Sequence, residues 1–111
     1  MKRHFSQLPQ VAFSILLALS LKPRHGYEII KQVEEDSAGK IKLVSGALYT
    51  SIKKLHEQGL IEEVTETGDT RRYYKLTEEG GKALAAELSY YQATVELGRK
   101  RQILTTQGGL K

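Results

Sequence analysis

A chain of 111 residues, 40% hydrophobic and 27% charged, has the size and composition of one folded domain with a modest core, and leaves no room for a second, catalytic domain. The absence of cysteine excludes disulfides, thiolate metal sites, iron–sulfur clusters and cysteine nucleophiles. A net charge of +4 favours polyanions over acidic partners, and what decides is where the cations sit.

Met1 to Ser6 is short, polar and basic, and is expected to be loose or a basic arm. From Gln7 to Leu21 leucine and alanine dominate, which predicts a mostly buried first helix, stopped by Pro23. Its apolar run, Val11 to Leu21, is interrupted by Ser14 and Ser20 and covers about half of the roughly 20 residues a membrane span requires. The run closes on Lys22-Pro23-Arg24 rather than on a small-residue cleavage site, so a cytoplasmic protein with no membrane partner is expected.

Gly26 to Asp36 sets Ile29, Ile30 and Val33 on one face, the spacing of an amphipathic second helix, which Ser37-Ala38-Gly39 breaks. Ser45 is a good N-cap for a third helix. Leu48, Ile52 and Leu55 form its buried stripe, and Gly59 ends it. Leu60 to Thr65 reads as a strand, Thr67-Gly68-Asp69-Thr70 as a turn and Arg72 to Leu76 as a second strand. Ile61 and Val64 are out of phase, which leaves the hairpin's register open. Thr77 caps a fourth helix from Glu78 to about Arg101, with Gly80 and Gly81 as its weakest point, and Thr105 to Lys111 reads as a flexible tail.

Three helices, a hairpin and a helix form the order of a winged helix-turn-helix, mainly α with a small β-hairpin. Residues 1–77 are then the DNA-binding domain, 78–104 a C-terminal dimerisation helix and 105–111 the tail. At about 100° per residue, the side of the third helix opposite its apolar stripe carries Gly46, Ala47, Thr50, Lys53, Lys54 and Glu57, flanked by Tyr49 and Ser51. Small residues permit close approach, hydroxyls reach base edges or phosphates, and lysines neutralise phosphate charge. A solvated helix face would carry lysine and glutamate too, and the hairpin shifts the balance. There Arg71, Arg72 and Lys75 interleave with Tyr73 and Tyr74, as suits a sugar-phosphate backbone. Strand alternation puts Arg72, Tyr74 and Leu76 on one face and Arg71, Tyr73 and Lys75 on the other, and leaves open which arginine meets DNA.

Three segments, His25-Gly26-Tyr27-Glu28-Ile29, Gly46-Ala47-Leu48-Tyr49 with Leu55 and Glu57-Gln58-Gly59-Leu60-Ile61, and Arg72-Tyr73-Tyr74-Lys75-Leu76-Thr77-Glu78-Glu79-Gly80, resemble successive signatures of the PadR family over about Ile15 to Leu84. Ser45, Ala47 and Thr50 stand where that family usually has proline, threonine and proline. The resemblance implies a cytoplasmic transcriptional regulator, usually a repressor, that binds a palindromic double-stranded operator as a homodimer and in several cases releases it on binding a small molecule. It also implies DNA contacts at Tyr49, Lys53, Lys54, Arg71 and Arg72. Together the two readings give Ser45, Gly46, Ala47, Tyr49, Thr50, Lys53, Lys54, Arg71, Arg72 and Lys75 as the DNA-binding set.

Enzyme chemistry lacks its parts: His4, His25 and His56 are scattered, and there is no phosphate-cradling glycine loop or nucleophile elbow. His25 with Glu28 supplies two metal ligands, too few for a site, so neither a metal nor a cofactor is expected. A winged-helix protein that binds small molecules without DNA, or an adaptor that binds another protein, are the rival readings. On the fourth helix Leu84, Leu88, Tyr91 and Val95 form a seam suited to a second copy, the alternative being a stripe folded back on the first helix. Phe13, Leu16 and Leu17 with Tyr90 and Tyr91 make a candidate pocket for a small, flat phenolic or aromatic effector, although no tryptophan provides the stacking platform some family members use.

Overall fold

In the computed structural model the described residues are 8–65 and 68–104. The elements are α1 (Gln10–Ala18), β1 (Arg24–His25), α2 (Gly26–Asp36), α3 (Ser45–Glu57), β2 (Ile61–Val64), β3 (Tyr73–Leu76) and α4 (Glu78–Lys100). The basic N-terminal arm and the tail expected from Thr105 onward lie outside the described residues, as does Thr67 of the expected turn.

The first helix is shorter than its apolar run. Pro9 holds an extended ψ of 156° at the N-cap, so the helix starts at Gln10. At the other end the Ser20 hydroxyl donates to the Leu17 carbonyl at 2.7 Å, a local bond that competes with the helical ladder. Ser45 is not the cap of α3. Val44 takes that position with extended backbone, and Ser45 is the first helical residue. The helix ends as Gly59 predicts: at φ +75° it turns the chain so that Gly59 N–H donates to His56 O and Leu60 N–H to Leu55 O, both at 3.0 Å.

The hairpin gains a third strand. Arg24 and His25 pair with Tyr74 and Tyr73, giving an antiparallel sheet of order β1-β3-β2, and two residues are too few to leave a periodic signal in the sequence. The β2–β3 register sets Ile61 opposite Leu76 and Val64 opposite Tyr73. Ile61 and Val64 thus point to opposite faces, Ile61 into the core and Val64 only half-buried.

Thr77 caps α4, its hydroxyl oxygen accepting from Gly80 N–H at 3.0 Å while donating to the Gly59 carbonyl at 2.6 Å. One threonine therefore ties the end of α3 to the start of α4. Gly80 is not a weak point, because a Cβ there would overlap the Leu60 carbonyl oxygen, whereas a Cβ on Gly81 would meet nothing within 4 Å. Leu48, Ile52 and Leu55 of α3 join Ile15 and Leu16 of α1, Ile29 and Val33 of α2, Tyr74 of β3 and Ala83 and Leu84 of α4 in one core. Each such aliphatic side chain contributes about 1.5–3 kcal/mol on burial, which fixes the roll of α3 and so decides which of its residues face outward.

Candidate nucleic-acid interface

With Leu48, Ile52 and Leu55 turned inward, Ser45, Gly46, Ala47, Thr50, Lys53 and Lys54 are exposed, and Tyr49 is half-exposed at 50%. Beyond its chain neighbours and the backbone of its own helix, no heavy atom lies within 4 Å of where a Cβ on Gly46 would be, so packing within the protomer gives no reason for glycine in this helix. The start of α3 is bare, small and rich in hydroxyls.

Arg72 stands just before β3 with its side chain 74% exposed and a loose contact to Glu63 of β2 at 3.8 Å. A cleft of about 420 Å³ between α3 and the wing is lined by Tyr49, Lys53, His56, Glu63, Arg72 and Tyr74, among others. A second, of about 390 Å³, is lined by His25, Gly26, Tyr27, Tyr49, Arg71 and Arg72. Tyr49 and Arg72 belong to both, so the structure brings Tyr49, Lys53 and Arg72 to one face. Lys54 lines neither cleft, and Lys75 pairs with Glu62 across the hairpin at 3.4 Å. Exposed pairs of this kind contribute about 0–1 kcal/mol, so a phosphate can displace either glutamate.

Arg71 is engaged differently. Its Nε and Nη2 donate to the two carboxylate oxygens of Asp69 at 3.0 and 2.8 Å, and its Nη1 lies 3.0 Å from His25 Nε2. The Tyr73 hydroxyl donates to Asp69 at 2.7 Å, and Arg71 N–H to the same carboxylate at 2.9 Å. These donors hold the Asp69 carboxyl well below the usual range, the Arg71 side-chain bond first. The hydrogen bond to Asp69 in turn raises both Arg71 and Tyr73, and burial raises the Tyr74 phenol. The cluster clips the turn to the start of α2, where Glu28 accepts from His25 N–H at 3.2 Å. His25, Gly26, Tyr27 and Asp69 were not in the DNA-binding set read from sequence. His25, Gly26 and Tyr27 lie in the first segment that resembles the family, but in the sequence they read as a helix start and Asp69 as a turn residue, and only the tertiary fold brings that helix start to the wing.

Along α4 the seam divides. Leu84 is 6% exposed in the protomer's own core and is not available to a partner, while Leu88, Tyr91 and Val95 are 44%, 38% and 39% exposed. Part of the stripe therefore does fold back on α1, and Tyr91 meets Phe13 edge-on with ring centroids 5.2 Å apart. Tyr90 is tilted against Tyr91 at 5.6 Å. Leu16 is fully buried, and Phe13 and Leu17 help line a small cavity of about 200 Å³ beside α2 that does not include Tyr90 or Tyr91. His25 Nε2 and Glu28 lie 3.6 Å apart, and among the described residues no three His, Asp or Glu side chains gather as metal ligands. No helix of the described residues is long and apolar enough to cross a membrane.

A comparison with curated proteins by sequence finds no match. Solved structures do match. A PadR family transcription regulator from Clostridium difficile is 26% identical over 83% of this chain and 97% of its own, with a TM-score of 0.72. A transcriptional regulator from Clostridium thermocellum is 26% identical over 81% of this chain and 87% of its own, at 0.70. Bacillus subtilis PadR in complex with operator DNA is 26% identical over 71% of this chain and 46% of its own, at 0.63. The profile of the transcriptional regulator PadR-like family matches residues 15–86, from the middle of α1 into α4. With well over half of its length inside that match, the chain belongs to the PadR-like family of transcriptional regulators, which are DNA-binding proteins and not enzymes.

Proposed function

We propose that the protein is a cytoplasmic repressor that binds a palindromic double-stranded operator as a homodimer. The observation that carries this reading is the convergence of Tyr49 and Lys53 of α3 with Arg72 of the wing on one exposed face, where Glu57 and Glu63 are the carboxylates a phosphate would have to displace. Ser45, Gly46, Ala47 and Thr50 approach base edges, while Lys53, Lys54, Arg72 and Lys75 neutralise phosphates. Arg71 serves this face by holding the turn in place, because its charge is already offset by Asp69. That the similar PadR from Bacillus subtilis is in complex with operator DNA supports DNA as the partner.

Dimerisation uses the outer part of α4, where Leu88, Tyr91 and Val95 are apolar and exposed within the protomer. A twofold pair of α3 helices spaced about one DNA turn, roughly 34–36 Å, reads an inverted repeat. Effector release is supported by the Phe13–Tyr91–Tyr90 aromatic group beside that seam, which suits a small, flat phenolic ligand able to favour one spacing of the dimer. Leu16, being buried, takes no part.

Selection of bound sites from random duplex DNA tests the reading. It predicts an enriched inverted repeat with half-site centres about 10 base pairs apart. Enrichment of no sequence, or of a single asymmetric site bound by one protomer, contradicts it.

A further inference from the structure

We propose that Gly26 is a positioning residue for DNA binding, keeping open the space in which the Tyr49 phenol lies so that its hydroxyl is aimed from α3 into the cleft beside Arg71 and Arg72. This rests on the reading of Tyr49 as a DNA contact. Gly26 is the buried first residue of α2. A Cβ built on it would overlap the Tyr49 hydroxyl oxygen and come within 3.1 Å of Tyr49 Cζ and 3.2 Å of Leu48 Cδ2.

Backbone conformation does not require glycine there. The positive-φ glycines among the described residues are Gly39, Gly59 and Gly68, so Gly26 has a backbone that alanine adopts freely. Helix propensity also favours alanine, so the demand for glycine comes from the space alone. Gly46 provides the internal contrast, since nothing in the protomer approaches it. Half of the Tyr49 surface remains exposed, and the cleft it helps line holds Arg72, whose side chain is 74% exposed, and the start of α2. A phosphodiester oxygen entering it meets one available cation, the charge of Arg71 being offset by Asp69. Because the atom a Cβ would strike is the far end of a rotatable side chain, Gly26→Ala should swing the phenol aside while the core stays in place.

The experiment is a double-mutant cycle on the full chain, reading affinity for a fluorescently labelled mixed-sequence duplex at several salt concentrations, with melting temperature as the control for folding. Losing a hydrogen bond to a charged phosphate weakens binding about tenfold or more, so Tyr49→Phe and Gly26→Ala should each cost about that much with the salt slope unchanged. In the Tyr49→Phe background, Gly26→Ala should cost less than about twofold. An equal loss in both backgrounds, or no loss from Gly26→Ala alone, overturns the proposal while leaving Tyr49 a DNA contact. Undiminished binding by Tyr49→Phe overturns the assignment of Tyr49 itself, and the proposal with it. Should Gly26→Ala fail to fold, recovery of folding on adding Tyr49→Phe supports the overlap, and failure there as well overturns it.

Discussion

Two surfaces of the protomer stay uncovered, and they are chemical opposites. The outward side of α3 with Arg72 is small, hydroxylic and cationic, so it stays hydrated at little cost until a polyanion displaces the water. The outer part of α4 presents Leu88, Tyr91 and Val95, apolar groups that gain nothing from water. The helix itself shows the change: its first turns bury Gly80, Ala83, Leu84 and Glu87, and past Glu87 no further residue is fully covered. The teaching is that exposure alone does not define a site. The polar face is suited to a ligand held by charge and geometry, and the apolar face to a permanent partner.

The largest expected effect breaks the apolar surface. Leu88→Lys combined with Val95→Lys should keep the helical circular-dichroism signal of a folded protomer and reduce sedimentation to the monomer mass, with a lower melting temperature as the dimer's contribution to stability is lost. Loss of bivalent engagement should then lower operator affinity by on the order of 100-fold or more. A wild-type chain that sediments as a monomer at micromolar concentration would end the comparison. The cationic surface should respond more gently. Lys53→Ala or Arg72→Ala should weaken binding several-fold across unrelated sequences and flatten the dependence of log affinity on log salt by about one unit per bound protomer. Arg71→Ala should flatten it less, because Asp69 already offsets that charge.

A smaller effect comes from two identical substitutions. A Cβ on Gly46 or on Gly81 meets nothing, so alanine at either should stabilise the fold by up to about 1 kcal/mol in thermal unfolding. Only Gly46→Ala should weaken DNA binding, and equal binding by both variants would remove the reason for a bare α3 start. The smallest effect concerns pH. Asp69 is held below the ordinary aspartate range by Arg71, so its contribution is fully present above about pH 4 and is lost as pH falls through the lower folded-state value. The stability gap between wild type and Asp69→Asn, read by urea unfolding, should be open at pH 7 and close in acid; a gap that widens in acid has the wrong sign.

The helices were legible because their apolar stripes are regular: Ile29 and Val33 predicted α2 to the residue, and Thr77 marked the start of α4. Local competition was not. Pro9 and Ser20 trimmed the first helix, and Val44 took the cap that Ser45 was expected to hold. The outward residues of α3 were legible from its apolar stripe, and the organisation of the wing was not. Asp69 is two residues from Arg71, but nothing local tells that this pair meets His25 while Arg72 reaches outward, because β1, two residues long and remote in sequence, brings His25 against Tyr73. Leu84 was misassigned to the seam for a related reason: helical spacing places four residues in line and cannot tell where along that line the core stops.

Backbone amide NMR of the labelled chain, titrated with a mixed-sequence duplex, tests the division between the two surfaces most directly. The account predicts shifts concentrated at Ser45, Gly46, Ala47, Tyr49, Lys53 and Arg72, with Leu88, Tyr91 and Val95 unmoved. Shifts centred on the outer part of α4, with α3 and the wing silent, would contradict it.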